Sequence, residues 1–257
     1  SQPPLSPFFL FLALLCLFGL NSCAETESTK MNMKWRLCMK SMTRWLSTLL
    51  VSVLLTGPLA AAEYSEGEQY LRLSKPQPTS ATDKIEVVEL FWYGCPHCYE
   101  LEPHIQQWLE SKPEDVVFVR MPAVLGPRWE LLGKAFYTAG LLGVADKIHP
   151  ALFEALHEKK QKLNDEAAVQ DFFVNHGVKA DDFRNTFNSF AVSVKMNNAK
   201  SMTRRYAITG VPTIIVNGKF STGGRQAGNN ANIIKVINYL VAQEREGMAA
   251  VASSEQP

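Results

Sequence analysis

The chain has 257 residues, 46% hydrophobic and 20% charged, which is enough apolar material for one domain with a real core, or one with a large insertion. Its formal net charge is +1, and residues 62–257 carry 21 basic against 23 acidic side chains once the five basic and two acidic ones of 1–61 are set aside. No clustered basic excess remains, which excludes a nucleic-acid-binding face, and the short run Lys159–Lys162 reads as a solvated helix face.

In chain order, residues 1–30 carry no initiating Met and hold an apolar run of their own, Phe8 to Leu20. They read as sequence upstream of the natural start, with Met31, Met33, Met39 and Met42 as alternative starts. Leu20-Asn21-Ser22-Cys23 weakly matches a lipidation box, so a lipid-anchored form is the competing reading. Lys34, Arg36, Lys40 and Arg44 then precede an apolar run from Trp45 to Leu59 that ends in Ala60-Ala61-Ala62. Basic, apolar, then small residues is the layout of a secretory signal peptide, cleaved near Ala61 or Ala62. A membrane-spanning helix needs about 20 apolar residues, more than this run supplies, so an uncleaved anchor is the weaker alternative. Cleavage removes Cys16, Cys23 and Cys38, leaving Cys95 and Cys98 as the mature chain's cysteines.

After the signal, Tyr70–Leu73 is a short strand, and Lys75–Ser80 is a Pro-rich loop. Ile85 to Tyr93 is a buried strand by its β-branched and aromatic content. A helix is expected from Cys95 to about Glu110, kinked at Pro103, which cannot donate to the Tyr99 carbonyl. Asp115–Met121 is a further strand, completing a βαβ unit. From Leu125 to Tyr206 apolar residues recur at helical spacing. Asn164-Asp165-Glu166 marks one helix start, His176-Gly177 a helix end, and Asp181 begins a helix running toward Arg205. Thr213–Val216, a turn at Asn217-Gly218, and Lys219-Phe220 form a hairpin. Gly223–Gly228 lacks the Lys-Ser/Thr of a phosphate loop and reads as a flexible loop. Ile233–Glu244 is a last amphipathic helix, followed by a frayed tail. The domain reading is an upstream segment with signal peptide (1–61), a first sheet-bearing part (62–124), a helical insertion (125–206), a second sheet-bearing part (207–246) and a flexible tail (247–257).

The chemistry concentrates in Cys95-Pro96-His97-Cys98, set between strand and helix. A thiol pair two residues apart closes too small a loop to stabilise the chain much, so it serves reversible disulfide exchange rather than scaffolding. At a helix N-terminus the unpaired N–H groups favour a thiolate at Cys95. Phe91-Trp92-Tyr93-Gly94-Cys95-Pro96-His97-Cys98, with the later Thr209-Gly210-Val211-Pro212-Thr213, resembles the thioredoxin superfamily. The Cys-Pro-His-Cys pairing, the Val before Pro212 and the helical insertion resemble, within it, the DsbA family of periplasmic thiol:disulfide oxidases. That resemblance covers about residues 63–246 and implies an α/β, thioredoxin-like fold of four or five strands with a mainly helical inserted domain.

The resemblance further implies Cys95 as an exposed nucleophile, Cys98 buried behind it, and a cis bond at Val211–Pro212 that leaves a backbone edge free for an extended substrate. Glu89 and Glu102 match acidic positions that assist proton transfer at the buried cysteine. The bland reading makes Glu89 a solvent-facing edge residue and Glu102 an ordinary surface carboxylate. Arg120 is a plausible counter-charge. His104, His149, His157 and His176 are read as surface or helix-end residues. A zinc site at His104 and the cysteine pair wants a second pair of ligands that the chain lacks, so neither a metal nor a cofactor is expected. The implied function is oxidation of reduced, unfolded exported proteins in the periplasm by a monomer that a DsbB-type, quinone-linked membrane oxidase recharges. A reductase or isomerase on the same fold, and a peptide-binding chaperone, are the alternatives.

Overall fold

A computed structural model describes residues 64–81 and 83–254. The signal peptide, its cleavage site and Cys16, Cys23 and Cys38 lie outside the described residues. Among the described residues the strands are β1 (Leu71–Arg72), β2 (Ile85–Phe91), β3 (Val116–Pro122), β4 (Thr213–Val216) and β5 (Phe220–Gly223). They form one sheet in the order β1-β5-β4-β2-β3. β2 runs parallel to β3 and antiparallel to β4, so it is an interior strand. The β2–β3 crossover is α1 (Pro96–Ser111), which continues through Pro103.

Strand alternation assigns the two faces of the sheet. Ile85 and Val87 pack with Leu101, Ile105 and Trp108 of α1 and with Ile233, Val236 and Ile237 of α8 (Asn230–Ser254). Val88 and Leu90 face the other way, onto Ala199 and Met202 of α6 (Phe190–Arg205). Glu89 shares the parity of Val87, so its side chain lies on the α1 side. Val116, Phe118 and Arg120 of β3 share that side by the same alternation.

Between β3 and β4 the chain forms α2 (Pro127–Leu141), α3 (Ala145–His157), α4 (Glu166–Asn175), α5 (Ala180–Phe187) and α6. Leu132, Ile148, Leu152, Phe153, Phe173 and Phe183 from these helices pack on Phe91, Tyr93 and Cys98. Truncating a buried aromatic such as Phe153 in a cluster of this kind costs about 3–5 kcal/mol. The helical block thus closes over the end of β2, where the cysteine pair begins.

The hairpin turn is built as expected. Asn217 and Gly218 both have positive φ, +50° and +63°, and the Lys219 N–H donates to the Val216 carbonyl at 3.0 Å. A Cβ on Gly218 would also lie 2.1 Å from the Gln77 carbonyl oxygen, so glycine is required twice over.

Several expected boundaries move. The single helix from Asp181 to Arg205 is two, because the Ser189 hydroxyl caps a new helix by accepting from the Val192 N–H at 3.2 Å. Lys159–Lys162 is a connecting loop rather than a helix face, with Lys160 at a φ of +52°. Gly223–Gly228 is ordered: Gly223 ends β5 and Gly224–Ala227 make one helical turn, α7. A Cβ at Gly223 would meet the Pro212 carbonyl oxygen at 2.6 Å, so glycine lets β5 close against that segment. The tail set at residue 247 continues α8 to Ser254, across a stretch rich in Ala with good helix propensity.

Candidate active site

Cys95 is the N-cap residue of α1 and Pro96 its first residue, a position where the missing proline N–H costs nothing. The loop entering it is fixed by the Cys95 N–H donating to the Trp92 carbonyl at 2.9 Å. Both cysteines are free thiols. Cys98 has no accessible surface, and Cys95 retains only 9%. The expected exposed nucleophile is therefore nearly covered, in the same apolar cluster as Tyr93, against which Trp92 and Val211 pack.

The two sulfurs are driven apart electrostatically. The Cys95 thiol is lowered to about 6, chiefly by the Cys98 thiol donating to it, then by the backbone N–H groups of Cys98 and His97 and the His97 charge, against its own burial. Cys98 is pushed far up by burial and by the charges of Cys95 and Glu89. His97 is itself exposed and pairs with Glu100 at 3.1 Å, which raises its pKa. It is the smallest of the influences on Cys95, and the backbone and Cys98 donors outweigh it.

The two predicted carboxylates meet on Arg120, and the charge of Glu89 reaches Cys98. Glu89 has no accessible side-chain surface, so it is neither an edge residue nor solvent-facing. Its Oε2 accepts from Arg120 Nε at 3.0 Å, and its Oε1 is buried without a hydrogen-bond partner. Burial, with Glu102 nearby, pushes its carboxyl up to about 8 despite Arg120. Glu102 lies one helical turn past Cys98. It accepts from Arg120 Nη2 at 3.0 and 3.3 Å through its two oxygens, and Gln106 Nε2 lies 3.4 Å from Oε2. Burial would raise its carboxyl, but the donors around it, His149 first among them, hold it below the usual carboxylate range. Arg120 thus bridges the pair.

The histidine reading needs correction. His149 is mid-helix in α3 and buried, with its Nε2 3.1 Å from Glu102 Oε1 and its Nδ1 2.7 Å from the Tyr93 hydroxyl. His157, two turns on, ends α3; its Nε2 lies 2.7 Å from the Tyr93 carbonyl and its ring stacks on Tyr99. His176 caps the end of α4 as expected. The signal in the sequence was His149-x3-Phe153-x3-His157, a spacing of four that sets all three on one stripe of the helix.

Val211 and Pro212 are joined by a cis peptide bond. The Val211 carbonyl accepts from the Cys95 thiol at 3.4 Å, which brings together two motifs 116 residues apart. A groove of about 620 Å³ opens beside them, lined by His97, Thr209–Thr213, Arg225 and Asn229 among others. The site therefore holds a low-pKa thiol, a buried partner thiol, a buried acid near neutrality and an adjacent groove, the parts needed for dithiol–disulfide exchange.

Comparison with known proteins agrees with this chemistry. Residues 114–235 match the family described as DSBA-like thioredoxin domain. The thiol:disulfide interchange protein DsbA of Pseudomonas aeruginosa strain PAO1 is 44% identical over 201 residues, covering 78% of this chain and 95% of that protein. The crystal structure of Pseudomonas aeruginosa DsbA superposes with a TM-score of 0.71 at 44% identity, covering 74% of this chain and 98% of that one. The oxidoreductase DsbA from Xylella fastidiosa superposes at 0.67 with 34% identity, covering 71% and 98%.

Proposed function

The chain belongs to the DsbA family of thiol:disulfide oxidoreductases, and from that premise we propose how its own residues carry the exchange and on what substrates. A substrate thiolate attacks the Cys95 sulfur of the Cys95–Cys98 disulfide, forming a mixed disulfide and releasing Cys98 as a thiolate. A second substrate thiolate attacks the substrate sulfur of that mixed disulfide and releases the Cys95 thiolate. Two substrate thiols become one disulfide, and the enzyme takes up two electrons.

Each residue has a stated part in this reading. Pro96 and His97 shape the helix start and add to the field that favours the Cys95 thiolate. Glu89, poised near neutrality, delivers a proton to the Cys98 thiolate as it leaves, and Glu102 with Arg120 sets the charge around it. Val211 and Pro212 hold an extended backbone beside Cys95 in the adjoining groove. The helical block, assigned to 125–206, covers the buried cysteine between the two sheet-bearing parts. The clients are reduced, unfolded exported proteins met in the periplasm after signal cleavage. A DsbB-type, quinone-linked membrane oxidase returns the monomer to its disulfide form.

The observation that carries this reading is the asymmetry of the pair: one thiol lowered to about 6, the other wholly buried and pushed up. Stabilising the Cys95 thiolate stabilises the reduced enzyme, which makes its disulfide a strong oxidant. Equilibration against glutathione buffers, reading Cys95 and Cys98 by alkylation and mass spectrometry, tests it. A potential well above the about −270 mV of thioredoxin supports a disulfide donor. A potential at that value would overturn the oxidase assignment. Reoxidation of the reduced protein by quinone-containing inner-membrane vesicles tests the partner.

A further inference from the structure

His149 is one of the few polar side chains buried in the core, and disulfide exchange at the two sulfurs makes no direct use of it. Its two ring nitrogens have definite partners, and a neutral ring can satisfy both. Glu102 as a carboxylate only accepts, so Nε2 is the nitrogen that donates across 3.1 Å. The Tyr93 hydroxyl then donates to Nδ1 across 2.7 Å, and burial holds that phenol in its protonated form. A neutral ring is satisfied on both sides. Burial lowers the pKa of His149 in the same sense, against the pull of Glu102.

The rings around it are aromatic, with Arg120 the further charge that acts on it. Phe91 from β2, Phe136 from α2 and Phe153 from α3 itself pack edge-on against the ring. Arg120 of β3 lies beyond Glu102, with Glu89 of β2 behind it. Asp146, one turn earlier on α3, lines the same open groove of about 840 Å³.

Two carboxylates in this setting share one guanidinium, and like charges so close disfavour double ionisation. Below about pH 8 the buried Glu89 keeps a proton. Arg120 cannot pass it between them, because a guanidinium does not deprotonate here. The choice follows from burial, which is complete for Glu89, and from the donors on each. Glu89 has Arg120 on one oxygen and nothing on the other, whereas Glu102 has Arg120, the neutral His149 ring and, at 3.4 Å, Gln106.

We propose that His149 is a positioning residue for proton transfer at Cys98: by donating to Glu102 it keeps that carboxylate ionised on Arg120 and leaves Glu89 as the proton carrier. The step balances simply. Cys98 departs as a thiolate, Glu89 gives it a proton and becomes a carboxylate, and solvent restores that proton. The inference rests on the reading of Glu89 given above.

Carboxyl-carbon NMR titration of Glu89 and Glu102 in the full-length reduced protein tests it, with assignments from Glu89→Gln and Glu102→Gln. In the wild type Glu89 should titrate well after Glu102. In His149→Phe the two midpoints should converge, Glu89 moving down and Glu102 up, and the pH midpoint of the mixed-disulfide step should fall with Glu89. His149→Gln should restore the separation, because its amide can donate to Glu102 and accept from Tyr93. Unchanged midpoints in folded His149→Phe, or equal effects of Phe and Gln, would overturn the proposal. Ring-nitrogen NMR of the wild type gives a second check that needs no variant. A neutral Nε2–H tautomer across the pH range is expected, and an imidazolium or an Nδ1–H tautomer would overturn it. An ordinary Glu89 midpoint in the wild type would instead remove the proton-carrier reading itself.

Discussion

Glu89 on β2 and Arg120 on β3 are register partners of the parallel pair, and a 3.0 Å ion pair joins them where neither is well solvated. The pairing does not restore Glu89 to an ordinary carboxylate, because burial outweighs the guanidinium and leaves its pKa near 8. A group raised in the folded state contributes stability below its unfolded pKa, and that contribution is lost as pH rises through the folded value. For Glu89 the loss begins near the ordinary value of 4.5 and is complete just above pH 8. Glu89→Gln removes this burden. The variant should be more stable than the wild type in the same redox state, by at least about 1.4 kcal/mol at pH 8, the equivalent of one pKa unit. Urea unfolding from pH 4 to pH 9 should show the gain growing to about 8 and then levelling. A gain independent of pH would rule out Glu89 as the source.

The causes of the low Cys95 pKa can be ranked by substitution. The Cys98 thiol is the largest contributor and the His97 charge the smallest. Cys98→Ala should therefore raise the Cys95 midpoint, seen in ultraviolet thiolate absorbance, more than His97→Ala does. Glu100 raises the His97 pKa on the exposed face, where solvent screens whatever charge the ring carries. A larger effect from His97→Ala would reverse the ranking and make the His97 charge, rather than the Cys98 thiol, the main tuning element.

The same low pKa makes stability depend on redox state and pH together. Cys95 has a folded value near 6 against an ordinary thiol value of 9.0. A depressed group contributes stability above its unfolded pKa and loses it as pH falls through the folded one. The oxidised protein has no such group. The stability of the reduced form relative to the oxidised form should thus decline as pH falls from about 9 to about 6, and flatten below. Parallel chemical denaturation of the two forms reads this directly, and a flat difference across that window would contradict the lowered thiol.

Local patterns made much of this legible. Cys95-Pro96-His97-Cys98 at a strand–helix junction, the β2–α1–β3 order, and Asn217-Gly218 at a hairpin turn each combine a residue preference with a backbone geometry, so they are visible within a few positions. Glu89 and Glu102 were visible near the motif, but the burial of Glu89 was not, because it depends on β2 being flanked by both β3 and β4. His149 was read as a surface or helix-end residue because its partners, Tyr93 and Glu102, lie 56 and 47 positions away and no local rule joins them. The break at Ser189 was hidden by a continuous helical composition on both sides, and only the cap hydrogen bond reveals it. Apart from that local cap, what escaped at the site was tertiary in origin.

Gly94, directly before Cys95, tests how tightly the loop is built. A Cβ there would lie 2.4 Å from the Trp92 ring, closer than two carbons can approach, so the ring or the loop must move. The ring has little freedom, since it stacks on Trp129 of α2 with centroids 4.4 Å apart and planes 23° off parallel. The loop has little more, since the Trp92 carbonyl holds the Cys95 N–H. Gly94→Ala should therefore cost about 1–3 kcal/mol, the usual range for an overpacked site. It should also raise the Cys95 midpoint, because shifting the helix start moves the N–H groups away from the sulfur. Trp129→Ala frees one face of the Trp92 ring, so in a double-mutant cycle the Gly94→Ala penalty should shrink in its presence. Urea unfolding of the four proteins and thiolate titration of each supply both readouts. Additive penalties would mean that the loop rather than the ring yields, and an unchanged Cys95 midpoint would mean that the helix start stays in place when it does.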